Sequence, residues 1–123
     1  MKPRIEAHKE LRGDRFITKE EPLNLYDSIS DSMAPLLVEC VSMWINNMLY
    51  HGFTLQDMQE QVDRILKLDK TVVFVLNDVG SGIIPDNKLA REFIDISGKL
   101  SQQIACGCDE VYHTIAGIST RIK

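Results

Sequence analysis

The sequence predicts a parallel α/β fold, a sheet flanked by helices, and three observations carry that reading. Two short continuous apolar runs, "APLLVEC" at residues 34–40 and "VVFVL" at residues 72–76, have the unbroken hydrophobicity of strands buried in a parallel sheet. The segments after them carry apolar residues three and four apart, the spacing of one helix face. Both runs end in polar groups, Glu39 and Asn77-Asp78. Open α/β sheets bind ligands at the carboxyl ends of their strands, so these residues are placed to face one crevice. The predicted order is β-α-α-β-α-β, an alternation that favours right-handed crossovers between parallel strands.

The totals narrow the function classes. A chain of 123 residues suffices for one small domain with a core, and 44% apolar with 26% charged residues is ordinary for a soluble globular protein. A formal net charge of −4 argues against a general nucleic-acid binder, which gains affinity from clustered Lys and Arg. No apolar run approaches the roughly 18 residues that span a bilayer. The opening "MKPRIEAHKE" has no apolar segment of signal-peptide type. These features predict a cytoplasmic protein with no membrane span. The cysteines, Cys40, Cys106 and Cys108, are odd in number, which suggests reduced thiols. Cys106-Gly107-Cys108 has the spacing of a metal half-site, but no second pair exists and His113 is the only histidine nearby. Buried or half-buried structural thiols are the preferred reading.

Taken in order, residues 1–12 read as a charged helix, with Arg4 and His8 on one side at i, i+4. The following stretch is mixed, with room for a short strand at 15–18. After the first apolar run, "VSMWINNMLYHG" reads as a helix stopped by Gly52, with Met43 and Trp44 expected in the core. Thr54 opens the next helix, and Asp57 three residues on makes a capping box with Asp in place of Glu. Leu55, Met58, Val62, Ile65 and Leu66 supply its apolar face. The second strand follows, then a long helix with Leu89, Phe93, Ile96, Leu100 and Ile104 on one side. "DEVYHTIAGIS", residues 109–119, reads as a last strand, with 120–123 a short tail able to pair beside it.

Several residues are candidates for chemistry. Glu39 ends a strand, as does a Walker B acid that holds Mg²⁺ directly or through water; an acid that has merely reached solvent looks the same. Asn77-Asp78-Val79-Gly80 suits a crevice rim whose backbone approaches phosphate, and equally an ordinary strand-to-loop turn. His8 carries an imidazole able to attack phosphorus or shuttle a proton, although a lone surface histidine is most often inert. His51 and His113 have no supporting constellation. The chain contains neither G-x-x-x-x-G-K-[ST] nor G-x-G-x-x-G, and Gly80-Ser81-Gly82 is a weak signal alone.

Four stretches together closely resemble one family. They are "RIEAHK", "LLVEC" before a helix containing "NNML", "VVFVLNDVGSGIIPDNKLAREFIDISGKLSQQIA", and the closing "DEVYHTIAGISTRIK". The family is that of the bifunctional adenosylcobinamide kinase / adenosylcobinamide-phosphate guanylyltransferases of cobalamin biosynthesis, the CobU family. Its pattern runs R-I-x-x-H, an acid-ending strand, N-E-V-G-x-G-I-V-P-x-N-x-x-A-R-x-F-x-D-x-x-G, then D-E-V and G-I-x-x-x-I-K. Asn77, Gly80, Gly82, Pro85, Asn87, Arg91, Asp95 and Gly98 match the long block in fixed spacing.

The resemblance implies a RecA-like P-loop NTPase sheet flanked by helices, often assembled as a homotrimer. It implies two reactions: phosphorylation of adenosylcobinamide by ATP or GTP, and transfer of GMP from GTP to adenosylcobinamide phosphate. It places the GMP-carrying histidine at His8, where Ala7 replaces the first of a pair found in some members. Glu39 matches the Walker B acid and would hold Mg²⁺. Arg4, Asn77, Asp78, Gly80, Gly82 and Arg91 fall on nucleotide- and substrate-binding positions. Asp78 stands for the usual Glu, Ile94 for a frequent Arg and Ser101 for a frequent Asn. In the family, a first strand, a G-x-x-x-x-G-K-S loop, a helix and a strand precede R-I-x-x-H. The expectation is therefore an N-terminally truncated form lacking on the order of 40 residues, the size of such a unit. Residues 1–123 would be a single α/β domain, the C-terminal two-thirds of the family domain. Without the phosphate cradle, kinase activity and stability are expected to be low. The competing expectation is a non-catalytic remnant, or a module that binds nucleotide or corrinoid without turnover.

Overall fold

Two short parallel strands, with helices packed on one of their faces, organise the chain. The structure, a computed structural model, describes residues 2–12, 15–79 and 86–123; the side chains of residues 2, 8, 9, 11 and 12 lie outside the description. The elements are α1 (Lys2–Arg12), α2 (Leu25–Ser30), β1 (Leu36–Val38), α3 (Val41–Tyr50), α4 (Leu55–Leu66), β2 (Val72–Phe74), α5 (Lys88–Gly107), β3 (Tyr112–Ile115) and β4 (Ile118–Arg121).

β1 and β2 pair in parallel, with Leu36 opposite Val72 and Val38 opposite Phe74. The backbone ladder continues past the strands: Val75 N–H donates to Val38 O and Val41 N–H to Val75 O, both at 3.0 Å. The inward residues Leu36, Val38, Val72, Phe74 and Leu76 pack against the core formed by α2, α3, α4 and α5. The outward residues do not share that burial. Leu37, Val73 and Val75 are 45%, 53% and 43% exposed. The expectation of strands buried on both faces therefore holds for one face, because the described helices cover only that side.

Helix ends follow from local chemistry. Gly52, at φ 81°, lets the chain turn left-handed after α3. There Gly52 N–H donates to Leu49 O and Phe53 N–H to Met48 O, the paired bonds of a Schellman motif. The expected capping box opens α4: Asp57 N–H donates to the Thr54 hydroxyl at 3.3 Å and Thr54 N–H to the Asp57 carboxylate at 2.8 Å. Met58, Val62 and Ile65 then face the core, as their spacing predicts. Asn87 caps α5, accepting from Leu89 N–H at 2.8 Å. On α5, Ile96, Leu100 and Ile104 are buried and Phe93 is half-buried, whereas Leu89 is 65% exposed.

Three expectations change. Residues 16–20 form no strand; Phe16 and Ile17 are exposed there. The segment before β1 instead contains α2, whose approach is fixed by the Glu21 carboxylate accepting from Leu23 and Asn24 N–H at 3.1 and 2.8 Å. Trp44 is in the core and donates its indole N–H to Leu23 O at 3.0 Å, but Met43 is 56% exposed, since it lies on the opposite side of α3. Residues 109–119 are not one strand. Ala116 and Gly117, at φ 52° and 77°, form a two-residue turn, and β3 and β4 pair antiparallel with Tyr112 opposite Arg121. The tail does pair, since β4 runs to Arg121 and Ile122 N–H donates to Val111 O at 2.8 Å.

Candidate functional site

The parallel pairing brings together two groups far apart in sequence. Glu39 follows β1 directly, and the Val75–Val38 and Val41–Val75 backbone bonds hold Glu39 and Cys40 against the extension of β2. That extension continues through Leu76 into Asn77 and Asp78. Glu39, Asn77 and Asp78 thus sit at the carboxyl ends of neighbouring strands, and all three are exposed. Their carboxylate and amide oxygens are hard donors. Such groups suit a Mg²⁺ ion held by one or two carboxylates, waters and substrate phosphates.

The structure adds His113, which pattern reading left without a partner. Its Nε2 lies 3.3 Å from Asp78 Oδ2, joining the β3–β4 hairpin to the end of β2. Both side chains are about half exposed, at 43% and 54%, so this pair positions more than it stabilises. The signal that locates His113 is the Ala116-Gly117 turn: a hairpin places it on a ribbon with a defined face. His51 has only a local role, its Nδ1 meeting Asn47 O at 2.8 Å.

The other candidates are dispersed. Arg91 lies in the first turns of α5 and donates from Nη1 to Asp86 O at 2.7 Å, just before the helix begins. Arg4 is exposed on α1, one turn before His8, whose backbone belongs to the same helix. The His8 side chain, Gly80, Gly82 and Pro85 lie outside the described residues. Among the described residues, no group of three or more His, Cys, Asp and Glu converges as a metal-binding cluster.

The thiols are free. Cys40 and Cys108 are half-buried, while Cys106 is exposed, contrary to the expectation for it. Burial pushes the Cys108 thiol above its ordinary value, with Lys123 opposing. The glycine between Cys106 and Cys108 has a packing reason. A Cβ at Gly107 would meet Leu66 Cδ1 at 2.6 Å, so glycine lets the end of α5 close on α4.

No described helix is long and apolar enough to cross a membrane. The model of the cobinamide kinase / cobinamide phosphate guanyltransferase family matches residues 1–122. Two relatives, the bifunctional adenosylcobalamin biosynthesis proteins CobU of Salmonella typhimurium and of Escherichia coli, are each 32% identical over 142 residues, covering 100% of this chain and 78% of theirs. The bifunctional adenosylcobalamin biosynthesis protein CobP of Pseudomonas aeruginosa is 31% identical over 127 residues, covering 98% of this chain and 73% of its own.

Proposed function

This chain belongs to the cobinamide kinase / cobinamide phosphate guanyltransferase family, and we propose from that membership how its residues divide the work. The family's enzymes are transferases of adenosylcobalamin biosynthesis, and that is the function of this chain. Its two reactions are phosphorylation of adenosylcobinamide by ATP or GTP and guanylyl transfer from GTP to adenosylcobinamide phosphate.

The nucleophile we assign to guanylyl transfer is His8. One imidazole nitrogen uses its lone pair to attack the α-phosphorus of GTP, and the bond to the pyrophosphate oxygen breaks. The cobinamide phosphate oxygen then attacks the same phosphorus, the phosphorus–nitrogen bond breaks, and the imidazole is restored. Arg4, one turn away on α1, supplies a cation for the phosphate oxygens.

Glu39, Asn77 and Asp78 form the rim that receives the nucleotide, with Gly80 and Gly82 giving the following backbone room to approach it. Glu39 fits a Mg²⁺ site, directly or through water, because it is an exposed carboxylate beside further oxygen donors at one sheet end. Bound there with the nucleotide, Mg²⁺ would neutralise charge on the departing phosphates. Arg91 contacts substrate from α5. We read β1 and β2 as part of a RecA-like P-loop sheet, residues 1–123 as one α/β domain, and the working protein as a cytoplasmic homotrimer.

The observation that supports this assignment most is the adjacency of Glu39 with Asn77-Asp78 at paired, parallel strand ends. The test is incubation with α-labelled GTP and Mg²⁺. The expected result is an acid-labile, alkali-stable label on the protein that His8→Ala abolishes. Label that survives His8→Ala, or its absence from the unaltered chain, would overturn the role of His8.

A further inference from the structure

A second concave surface lies on α5. It is a groove of about 530 Å³ between the α3–α4 turn and α5. Its floor is apolar, made by Leu49, Phe53, Leu55 and Ile96. Phe53 is 40% exposed, and the Schellman bonds that close α3 fix its backbone, so its ring stands at the groove as a rigid apolar surface. Its rim is charged with both signs: Lys88, Glu92, Asp95 and Lys99 project from α5. All four are exposed, and among the described residues none of their side chains makes a hydrogen bond or ion pair.

That combination selects a ligand class. Two carboxylates set among the three cations Lys88, Arg91 and Lys99 leave no purely cationic surface for a phosphate-rich ligand, and a purely apolar one would leave the rim unused. A primary amide offers an N–H donor to a carboxylate and a C=O acceptor to an ammonium, so a rim with both signs suits a ligand bearing several amides. An apolar floor suits the flat body that carries them. A corrin ring with its peripheral amide side chains has this chemistry, and the family reaction requires such a substrate.

We propose that this groove seats one amide-bearing edge of the corrin macrocycle, with Phe53 against the ring and Lys88, Glu92, Asp95 and Lys99 reading the amides. The proposal rests on the family reading above. Arg91 lines the same groove and is anchored to Asp86 just before α5. The ring exceeds the groove, so its opposite side, with the hydroxyl-bearing arm, stays free to reach the transferring phosphate.

Calorimetric titration of the full chain with dicyanocobinamide tests the seat. Phe53→Ala and, independently, Lys99→Glu are each expected to weaken binding about tenfold, the loss of an anchor or of a charge-assisted bond. Both residues are solvent-exposed, so neither substitution removes core packing. Self-labelling by α-labelled GTP should be unchanged in both variants. Equal affinity of both variants and the unaltered chain overturns the proposal. So does a chain that takes label from GTP but does not bind dicyanocobinamide. A chain that binds dicyanocobinamide at this groove yet takes no label refutes the His8 assignment and leaves the groove standing.

Discussion

Exchanging valine for threonine on the outward face of the sheet and in the helix core beneath its other face tests whether β1–β2 has one covered face. Valine and threonine have nearly the same shape and both suit strands, so the exchange replaces a methyl with a hydroxyl and changes little else. Val73 points outward and is 53% exposed. A hydroxyl there keeps access to water, and the cost should stay within about 0.5 kcal/mol, as for surface substitutions generally. Val62, on α4, is 0% exposed and faces the core. The same exchange there strands a hydroxyl among apolar side chains and should cost about 1–3 kcal/mol. Urea denaturation gives both values, with the buried Trp44 as the fluorescent reporter. The expected outcome is a midpoint for Val73→Thr close to the unaltered chain and a clearly lower one for Val62→Thr. Equal losses would refute the reasoning: they would mean that Leu37, Val73 and Val75 are covered, and that β1–β2 is buried on both sides as the unbroken apolar runs suggest.

Three further outcomes follow from local geometry. Thr54→Ala removes one side of the α4 capping box and should lower stability by about 1 kcal/mol, and Asp57→Ala added to it should cost less than the sum, because the two side chains serve one motif. The Glu21 carboxylate is held below its usual range, first by the backbone N–H of Asn24 and then by that of Leu23. A depressed folded value stabilises above the ordinary carboxylate range, near about 4.3, and that stability is lost as pH falls through the folded value. Glu21→Gln should therefore be less stable than the unaltered chain at pH 7, by under about 1 kcal/mol for a group still open to solvent, with the gap closing in acid. In the folded protein, timed alkylation followed by mass spectrometry should modify exposed Cys106 before Cys108, whose burial disfavours the thiolate.

The elements legible in the sequence are those whose signal is local. Thr54 with Asp57, Gly52, and the helix faces of α4 and α5 each depend on residues within a turn or two, and each stands as expected except that Leu89, at the start of α5, is exposed. What the sequence hid depends on distant partners. An apolar run such as 72–76 looks the same whether one face or two are covered, so the exposure of Val73 was not readable. Met43 is apolar in a helix whose buried side is set by α5 and the sheet, and composition alone put it inside. The two-residue turn at Ala116-Gly117 is a weaker hairpin signal than Asn-Gly, and 109–119 therefore read as one strand. His113 was overlooked for the same reason. Its partner Asp78 lies on another strand's exit, and no spacing rule connects them.

The site's two halves meet through topology rather than proximity in the chain. In an antiparallel pair, the end of one strand faces the start of the next, and Glu39 would lie opposite the beginning of β2 near Thr71. Because α3 and α4 carry the chain back before β2 starts, the two strands run the same way and both polar exits fall at one end. That end needs little from β1 and β2 themselves, which span three residues each. The long element is α5, with 20 residues, and it begins at Lys88. Its first turns hold Arg91 and its flank forms the proposed corrin seat. A corrinoid bound along α5 is the acceptor of the second guanylyl step and takes no part in the first, so substitutions at Phe53 or Lys99 should affect use of the corrinoid while leaving the first guanylyl step intact.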